Sequence, residues 1–434
     1  MSALTPMVDV LGIGFGPANL AVAIALEELA PHLSVAFLEK RLGPFWQPNM
    51  LLPGSDIQNH PLRDLVTPRN PRSRYSFTNF LFEQGRLYEH LNLPLHYPLR
   101  AEYAQYVSWV AGLFSDRVSY GCEAKAVELV QPSEGMESHY KVTCADGRVR
   151  LARALILAPG RTPHIPAPFD GLADPRVRHL NDYLPALAES VAATAGQCRV
   201  AVIGGSQSAV EIVLHASEQS GVRDVVGFTR NFGYRQKDTS PFSDEVYFPA
   251  FVDTFYRASP EHKARLRREL VHTNYSAADI DVLNQLYVRR YEQSLLGESR
   301  LQLRTCEEIQ ACRPSPSGVE IESRHYLEGS HHRQSFDLVI LATGFLDLGQ
   351  GDRQEPFPPL LAPLVGEQHR GELAIGRDYQ IDLANGVPVY LNGLCESSHG
   401  MGDAGSFSLL ALRSKAIVES LAAQLAASEH RHDA

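Results

Sequence analysis

The sequence has few cysteines, no excess of basic residues and no long apolar run, and each shortage excludes a class of protein. No two of its six cysteines have the Cys-x-x-Cys spacing of a zinc site or a redox pair. Acidic residues outnumber basic ones by 50 to 40, which disfavours nucleic acid and anionic membranes as partners. No apolar run approaches the ~20 residues that span a bilayer. We therefore expect no metal site, no disulfide framework and no membrane partner.

The rest of the composition is that of an ordinary globular protein. Of the 434 residues, 44% are hydrophobic and 21% are charged, which suits two or three domains of ~150 residues each. Met1–Val8 lacks the basic stretch and following apolar stretch of a secretory signal. We expect a cytoplasmic protein.

Two segments share one pattern, in which a short β-branched run leads through a glycine-rich turn into a helix-forming stretch. The first is Val8–Asn19, continuing to Leu29, and the second is Arg199–Ala209, continuing to Ser217. Such runs are typical of buried parallel strands followed by helices. The pattern predicts an α/β fold with two dinucleotide-binding, Rossmann-like domains and a smaller substrate-binding portion.

Two further apolar runs end in glycine, at Ala154–Gly160 and Leu338–Gly344. In a doubly wound flavoprotein, strands of this kind return the chain to the first sheet. The first nucleotide domain should then be discontinuous, with the second inserted into it. The expected bounds are 1–165 and 335–434 for the first domain, 196–334 for the second, and 240–295 for the substrate-binding portion.

The first glycine turn has the residues that a dinucleotide pyrophosphate requires. Backbone N–H groups at a helix N-terminus bind the phosphates, and glycine leaves room for them. Gly12 and Gly14 match the first two positions of the Gly-x-Gly-x-x-Gly pattern, whereas Pro17 takes the third position, beside Gly16. Glu39 ends the next predicted strand, where a ribose-binding carboxylate is expected. The turn predicts a site for FAD or NAD.

The second turn departs further from the pattern. Gly204 and Ala209 occupy the outer positions, and Ser206 replaces the central glycine. The following strand leads to Arg230 rather than to an acidic residue. A basic residue at this point suits the 2′-phosphate of NADPH, although a solvated surface arginine explains it equally well.

Short motifs along nearly the whole chain, from Val8 to about Val418, resemble the flavin-dependent N-hydroxylating monooxygenases, the ornithine and lysine N-hydroxylases of siderophore biosynthesis. Each motif is weak alone, and their order and spacing together are specific. The motifs are Gly12–Leu20, Gln58 with Leu62–Leu65, Arg69–Pro71, Tyr75–Phe77, Gly204–Ala209, Ser240–Phe242, Thr273–Ser276, Ala342–Phe345 and Ser398–Gly400.

The resemblance implies a reaction that depends on FAD, NADPH and O2. NADPH would reduce FAD, and the reduced flavin would capture O2 as a C4a-hydroperoxide. A neutral side-chain amine of a small molecule would then take the distal oxygen and become a hydroxylamine. The protein would position the cofactors and the substrate, exclude water from the site and select the substrate.

The resemblance also assigns roles to individual residues. Gln58 takes the place of a glutamine on the flavin face. The cofactor-binding positions that the resemblance and the two turns imply together are Gly12, Gly14, Gly16, Pro17, Asn19, Glu39, Trp46, Gln58, Gly204, Ser206, Gln207, Ser208, Arg230, Thr343 and Gly344.

The substrate positions carry the departures from the family pattern. Arg63 stands where a lysine pairs with the substrate carboxylate, and Asp244 stands where asparagine is usual. Asn274 matches an asparagine that holds the amino-acid end. Ser408 falls near a serine close to the reacting amine, with Ser406 as the alternative. Gln58, Asn274 and Ser408 are thus the expected catalytic residues.

These departures leave the substrate open. Ornithine or lysine is the expectation from the family, and arginine or a diamine such as putrescine or cadaverine competes with it. Asp244 would hold a second cation if it faces the pocket, or would pair with Arg63 and leave the pocket neutral. A non-catalytic flavoprotein scaffold or redox sensor is a further alternative. Family members often self-associate, so a homodimer or homotetramer is possible.

Overall fold

The computed structural model describes residues 6–131, 137–365, 373–383 and 386–432. Within these ranges no helix is both long and apolar enough to cross a membrane. The strands are β1 (Met7–Ile13), β2 (Val35–Glu39), β3 (Val118–Tyr120), β4 (Ala124–Val130), β5 (His139–Cys144), β6 (Val149–Leu157), β7 (Val177–His179), β8 (Cys198–Ile203), β9 (Val222–Phe228), β10 (Leu301–Arg304), β11 (Glu307–Ser315), β12 (Gly318–His325), β13 (His331–Phe336), β14 (Leu338–Leu341), β15 (Asp347–Leu348), β16 (Gln354–Glu355) and β17 (Val389–Leu391). The helices are α1 (Pro17–Leu29), α2 (Phe77–Glu83), α3 (Leu87–Leu91), α4 (Arg100–Gly112), α5 (Tyr183–Ala193), α6 (Gln207–Glu218), α7 (Pro249–Arg257), α8 (Pro260–Leu270), α9 (Ile280–Leu295), α10 (Glu396–His399) and α11 (Leu410–His432).

The first sheet contains the first predicted nucleotide turn. Its seven strands have the order β3-β2-β1-β6-β5-β4, with β17 pairing beside β6. β1 lies parallel to both β2 and β6. Helix α1 is buried continuously from Asn19 to Leu26 and packs against α11. A helix that is apolar on all sides is stable when other elements pack on all of its sides. This packing fixes the position of the N-terminal end of α1, next to the glycine turn.

The second sheet contains the second predicted turn. Its five strands have the order β10-β9-β8-β14-β7, and every neighbouring pair is parallel. Apolar side chains cover both of its faces in two separate clusters. A three-stranded antiparallel sheet, β11-β12-β13, packs on one face through Val319, Ile321 and Phe336. The predicted fold, with two dinucleotide-binding units, is confirmed.

The prediction that both glycine-ended runs return to the first sheet is right for one run and wrong for the other. The run at Ala154 ends β6, beside β1 in the first sheet. The run at Leu338 forms β14, which pairs with β7 and β8 in the second sheet. The strands of the second sheet therefore lie between Val177 and Leu341 in the chain. The predicted domain bounds 196 and 335 leave β7 and β14 outside the second domain, although both belong to its sheet. Both runs have the same local sequence pattern, and the choice of sheet depends on long-range pairing.

Two of the scattered cysteines meet at the edge of the first sheet. The sulfur atoms of Cys122 and Cys144 lie 2.7 Å apart, and both are free, buried thiols. Their separation along the chain gave no sign of this contact.

Candidate functional site

The first glycine turn leads directly from β1 into α1. Gly14 has φ +85°, and a Cβ atom there would stand 2.1 Å from the carbonyl oxygen of Ala158. A Cβ on Gly16 would meet nothing within 4 Å. Pro17 begins the helix, where its missing N–H costs nothing. Gly14 is therefore required by packing, whereas Gly16 leaves open space at the helix N-terminus, as a bound pyrophosphate would need.

Glu39 fixes this turn from the neighbouring strand. One carboxylate oxygen accepts the backbone N–H of Phe15 at 2.7 Å, and the other accepts that of Arg41 at 2.9 Å. The carboxylate thus lies beside the turn, as the ribose-ligand prediction requires.

Asn19 supports the turn from inside. Its side chain is fully buried, donates to the carbonyl oxygen of Gly14 at 2.8 Å and accepts from Asn392 at 3.1 Å. Its amide thus braces the backbone of the turn, and the contact of Asn19 with the cofactor stays a prediction.

The second turn has its close backbone approaches at Gly204 and Gly205. A Cβ on Gly204 would stand 2.4 Å from the carbonyl oxygen of Ala342, and one on Gly205 would stand 2.8 Å from the hydroxyl of Thr229. Ser206 is the N-cap residue of α6. The missing central glycine is thus compensated, because the close packing falls one residue earlier.

A cavity of about 970 Å³ opens beside the second turn. The predicted residues that line it are Gly204, Ser206, Arg230, Thr343 and Gly344. Gln207 is engaged elsewhere, since its backbone N–H donates to Ala277 at 2.9 Å and its side-chain oxygen accepts the N–H of Asp279 at 2.8 Å. The cofactor contacts of Gln207 and of Ser208, which follows it in the first turn of α6, stay predictions.

Arginines and carboxylates both line this cavity. The arginines are Arg161, Arg230, Arg235, Arg267 and Arg353, and the carboxylates are Glu307, Glu308, Asp347, Asp352 and Glu396. Burial, together with the charges of Arg230 and Arg161, lowers the pKa of Arg353, and burial and Arg353 lower that of His164. A cation whose pKa is lowered by neighbouring cations is stabilised by an anion placed between them. The part of the cavity around Arg353 is therefore suited to a phosphate group.

A second cluster brings together residues predicted for the substrate. A guanidinium N–H of Arg63 points at the hydroxyl of Ser408 across 3.4 Å. Ser408 donates to Asn59 at 3.0 Å and accepts from Ser406 at 2.9 Å. Both of the serines considered from the sequence therefore lie beside Arg63.

Asp244 lies in the electrostatic neighbourhood of this cluster. It belongs to the short 3₁₀ turn Ser243–Tyr247 and is half-buried. Burial raises its pKa, and the charges of Lys237 and Arg63 oppose that rise. Because the contact of Arg63 is with Ser408, Asp244 acts on Arg63 through space rather than as its direct partner.

Asn274 reaches the same cluster from the second domain. A Cβ on Gly405 would stand 3.0 Å from its amide nitrogen and 3.2 Å from the hydroxyl of Tyr275. The segment that carries Asn274 therefore packs on the loop that carries Ser406 and Ser408.

Trp46 borders this loop as well. Its ring contacts Phe407 edge-on, with the centroids 5.3 Å apart, so it lies next to the serine pair.

Gln58 has an uncommon backbone, with φ +51°. Its backbone N–H donates to a carboxylate oxygen of Asp56 at 2.8 Å, and its side-chain amide donates to Asp279. These two bonds hold a left-handed conformation that costs a non-glycine residue about 1–3 kcal/mol.

Sequence reasoning missed a buried triad between the substrate cluster and the cavity. The hydroxyl of Tyr275 donates to Glu396 at 2.5 Å and accepts from Arg161 at 2.9 Å. Burial raises the pKa of Glu396 to about 8, against the lowering effect of Arg161. Tyr275 lies in a motif that the sequence did single out, but no local signal links it to Arg161 or Glu396.

Comparisons with known proteins agree with this geometry. A sequence profile described as L-lysine 6-monooxygenase/L-ornithine 5-monooxygenase matches residues 6–347. An L-ornithine N(5)-monooxygenase of Pseudomonas aeruginosa is 36% identical over 424 residues, which cover 95% of this chain and 93% of that protein.

Solved structures extend the likeness to three dimensions. The ornithine hydroxylase PvdA of Pseudomonas aeruginosa has a TM-score of 0.86 and 35% identity, covering 97% of this chain and 100% of its own. The ornithine N-hydroxylase KtzI of Kutzneria sp. 744, solved with reduced FAD, NADP+ and L-ornithine, has a TM-score of 0.86 and 32% identity, covering 96% and 100%.

The two glycines of the first turn should separate folding from cofactor binding. Gly14→Ala should destabilise the protein by about 3 kcal/mol or more, because the methyl group meets a carbonyl oxygen at a positive φ. Gly16→Ala should cost about 1 kcal/mol or less, as a weaker helix cap, yet bind FAD at least tenfold more weakly. Thermal unfolding of the apoprotein and FAD fluorescence titration measure the two effects. Equal FAD affinity in wild type and Gly16→Ala would contradict this location of the pyrophosphate.

Proposed function

The chain belongs to the L-lysine 6-monooxygenase/L-ornithine 5-monooxygenase family, and we propose that its own substrate is L-ornithine, held by Arg63 and Asp244. It is an FAD- and NADPH-dependent enzyme that N-hydroxylates the side-chain amine of a basic amino acid. The overall reaction takes one amine, O2, NADPH and a proton to a hydroxylamine, NADP+ and water. FAD and NADPH, when bound, supply the electrons that activate O2.

The cofactor positions follow from the two turns. We propose that the Gly12–Gly16 turn holds the FAD pyrophosphate, with Glu39 at a ribose. NADPH would occupy the 970 Å³ cavity, with its phosphates among the arginines and its 2′-phosphate at Arg230. The lowering of the Arg353 pKa by burial and by the charges of Arg230 and Arg161 supports this placement.

One observation carries the substrate proposal. Arg63 and Asp244 have opposite charges and affect each other electrostatically, close to Ser406, Ser408 and Asn274. An α-amino acid has a carboxylate and an ammonium on one carbon, so such a pair of side chains complements it. A diamine has no carboxylate and would leave the Arg63 charge without a counter-ion, which disfavours putrescine and cadaverine.

L-Lysine is the second candidate within the same proposal, since it differs from ornithine by one methylene. One methylene changes discrimination by only about 1–3 kcal/mol. Acylation of an N-hydroxylated side chain gives a hydroxamate, which chelates Fe(III) through two oxygens, so a role in siderophore biosynthesis is proposed. A cytoplasmic location and a dimeric or tetrameric assembly stay predictions.

Replacing Asp244 tests the proposed grip on the α-ammonium. 5-Aminopentanoate is ornithine without that group, so wild type should prefer ornithine by about 10- to 100-fold in kcat/KM. In Asp244→Asn this preference should shrink about tenfold, mainly through the KM for ornithine. Steady-state hydroxylamine formation with both substrates gives the ratio.

Asp253→Asn is the matched control, because Asp253 is an exposed carboxylate of α7 that pairs with Arg377 at 2.7 Å. It should leave the preference unchanged. An unchanged preference for ornithine over 5-aminopentanoate in Asp244→Asn would contradict this assignment of Asp244. A dicarboxylic amino acid as the best substrate would contradict it as well.

Arg230 should select NADPH over NADH. Arg230→Ala removes the proposed partner of the 2′-phosphate, so the ratio of kcat/KM for NADPH to that for NADH should fall at least tenfold. Arg223→Ala, at the other end of β9 in an exposed ion pair with Asp224, should leave the ratio unchanged. Equal losses with both nucleotides would show that Arg230 does not contact the 2′-phosphate.

Gln58 should limit the loss of reducing equivalents from NADPH as hydrogen peroxide. With Gln58→Ala, more hydrogen peroxide should appear per NADPH consumed, because a polar side chain on the flavin face is lost. Peroxide and hydroxylamine are both assayed against NADPH oxidation, at matched FAD content. Gln105→Ala, an exposed glutamine that bonds Arg86 at 2.9 Å, should behave as wild type. Unchanged coupling in Gln58→Ala would remove Gln58 from the flavin face.

A further inference from the structure

A closed ring of hydrogen bonds joins the two domains behind Gln58. The ring crosses between the domains twice, once from Gln58 to Asp279 and once from Arg100 to Glu211 at 2.9 Å. Its members, in order, are Asp56, Gln58, Asp279, Gln207, Glu211 and Arg100, which returns to the backbone carbonyl of Asp56. Every member bonds the next, so a shift of one domain against the other strains the whole ring.

Asp279 is the member of the ring that bonds both Gln58 and Gln207. Its carboxylate accepts the side-chain amide of Gln58, and its backbone N–H donates to the side-chain oxygen of Gln207 at 2.8 Å. Gln207 is the first residue of α6, the helix that follows the second glycine turn. One residue therefore connects the proposed flavin-face side chain to the helix at the other nucleotide site.

The surroundings of the ring are acidic, which makes the charge of Asp279 sensitive to its neighbours. Burial raises the pKa of Asp279; Lys237 and the bond from Gln58 oppose this, and Asp281 and Glu211 add to it. Burial, Asp279, Asp281 and Glu211 raise the pKa of Asp56 to about 6, while the backbone N–H of Gln58 opposes that rise. Tyr97 faces the same carboxylates, and burial and their charges raise its pKa. Arg100 contributes the cation that bonds Glu211.

We propose that Asp279 is a positioning residue for the N-hydroxylation, which holds Gln58 in place relative to α6 and thereby couples occupation of the NADPH cavity to the order of the flavin face. The role of Asp279 rests on the proposed position of Gln58. Asp279 itself contacts neither cofactor in this scheme and acts through Gln58 and Gln207. Removing its carboxylate frees the Gln58 side chain and loosens the first turn of α6 together.

Three variants of the full-length holoenzyme test the proposal. Asp279→Ala removes the acceptor, Asp279→Asn keeps an oxygen that can accept from Gln58, and Asp281→Asn removes a nearby charge from an exposed side chain two residues away. We expect Asp279→Ala to bind NADP+ about three- to tenfold more weakly by calorimetry. It should also expose bound FAD to acrylamide quenching when NADP+ is present. Asp279→Asn should lie closer to wild type. Asp281→Asn keeps every bond of the ring, so its NADP+ affinity should match wild type, and because it removes a charge that raises the pKa of Asp279, it should shift the pH dependence of peroxide leakage to lower pH.

The coupling of NADPH oxidation to hydroxylation, and the pH dependence of that coupling, distinguish this role from structural support alone. Asp279→Ala should raise peroxide per NADPH as Gln58→Ala does, and the double variant should add little to either, because both remove one interaction. Protonation of Asp279 weakens a charge-assisted bond, so wild-type leakage should grow as the pH is lowered. The dependence should be weaker in Asp279→Asn, in which Asp56 still titrates beside Gln58.

The outcomes distinguish the two proposals. Normal NADP+ affinity and normal coupling in Asp279→Ala, with leakage in Gln58→Ala, would overturn the role of Asp279 and keep that of Gln58. Normal coupling in Gln58→Ala would overturn both. Additive leakage in the double variant would show that the residues act independently, which also contradicts the proposal. Thermal unfolding of each variant shows whether a loss comes from a failure to fold.

Discussion

Both nucleotide sites depend on one packing constraint, the contact of a glycine in the turn with the carbonyl oxygen that follows a neighbouring parallel strand. Gly14 is pressed against Ala158, beyond β6, and Gly204 is pressed against Ala342, beyond β14. A side chain at either glycine would collide with that backbone. The contact fixes where each following helix begins, and the N–H groups of the first helical turn then face the place where phosphates bind. The positions of the other site residues depend on these two turns.

This constraint also explains what the sequence could and could not predict. A strand, a glycine turn and a helix are local features, so both nucleotide units were found correctly, and Glu39 lies beside the first turn as expected. The runs before Ala158 and Ala342 have the same local pattern in different sheets, and local pattern cannot say which sheet each joins. The sequence could not show that the side-chain amides of Asn19 and Gln207 bond the backbone of other segments. Asp279 and Glu396 carry no local signal, since their partners lie far away in the chain.

Charge is distributed unevenly over the connected sites, and this suits their separate tasks. The cavity beside the second turn combines five arginines with five carboxylates, whereas the ring around Gln58 has the carboxylates of Asp56, Asp279 and Glu211 and the one guanidinium of Arg100. In the cluster proposed to bind the substrate, Arg63 and Asp244 bring opposite charges. A zwitterionic amino-acid end can enter such a cluster without leaving either charge unpaired, which would cost several kcal/mol in a half-buried site.

The contact of Arg63 with Ser408 bears on how the reacting amine becomes neutral. An alkyl ammonium has a pKa of ~10.4, and only the neutral form has the lone pair that takes oxygen. A unit positive charge about 4 Å away, at an effective dielectric constant of about 20, disfavours the ammonium by about 4 kcal/mol, or about three pKa units. A carboxylate bound to the same cation offsets most of that effect, whether the cation is a lysine or an arginine, because each carries one charge. The guanidinium of Arg63 has five donors in a planar fork, so one edge can face Ser408 while another can hold a carboxylate. Arginine in place of the family lysine therefore adds donors rather than charge, and the neutral amine has to be favoured by burial of the reacting end.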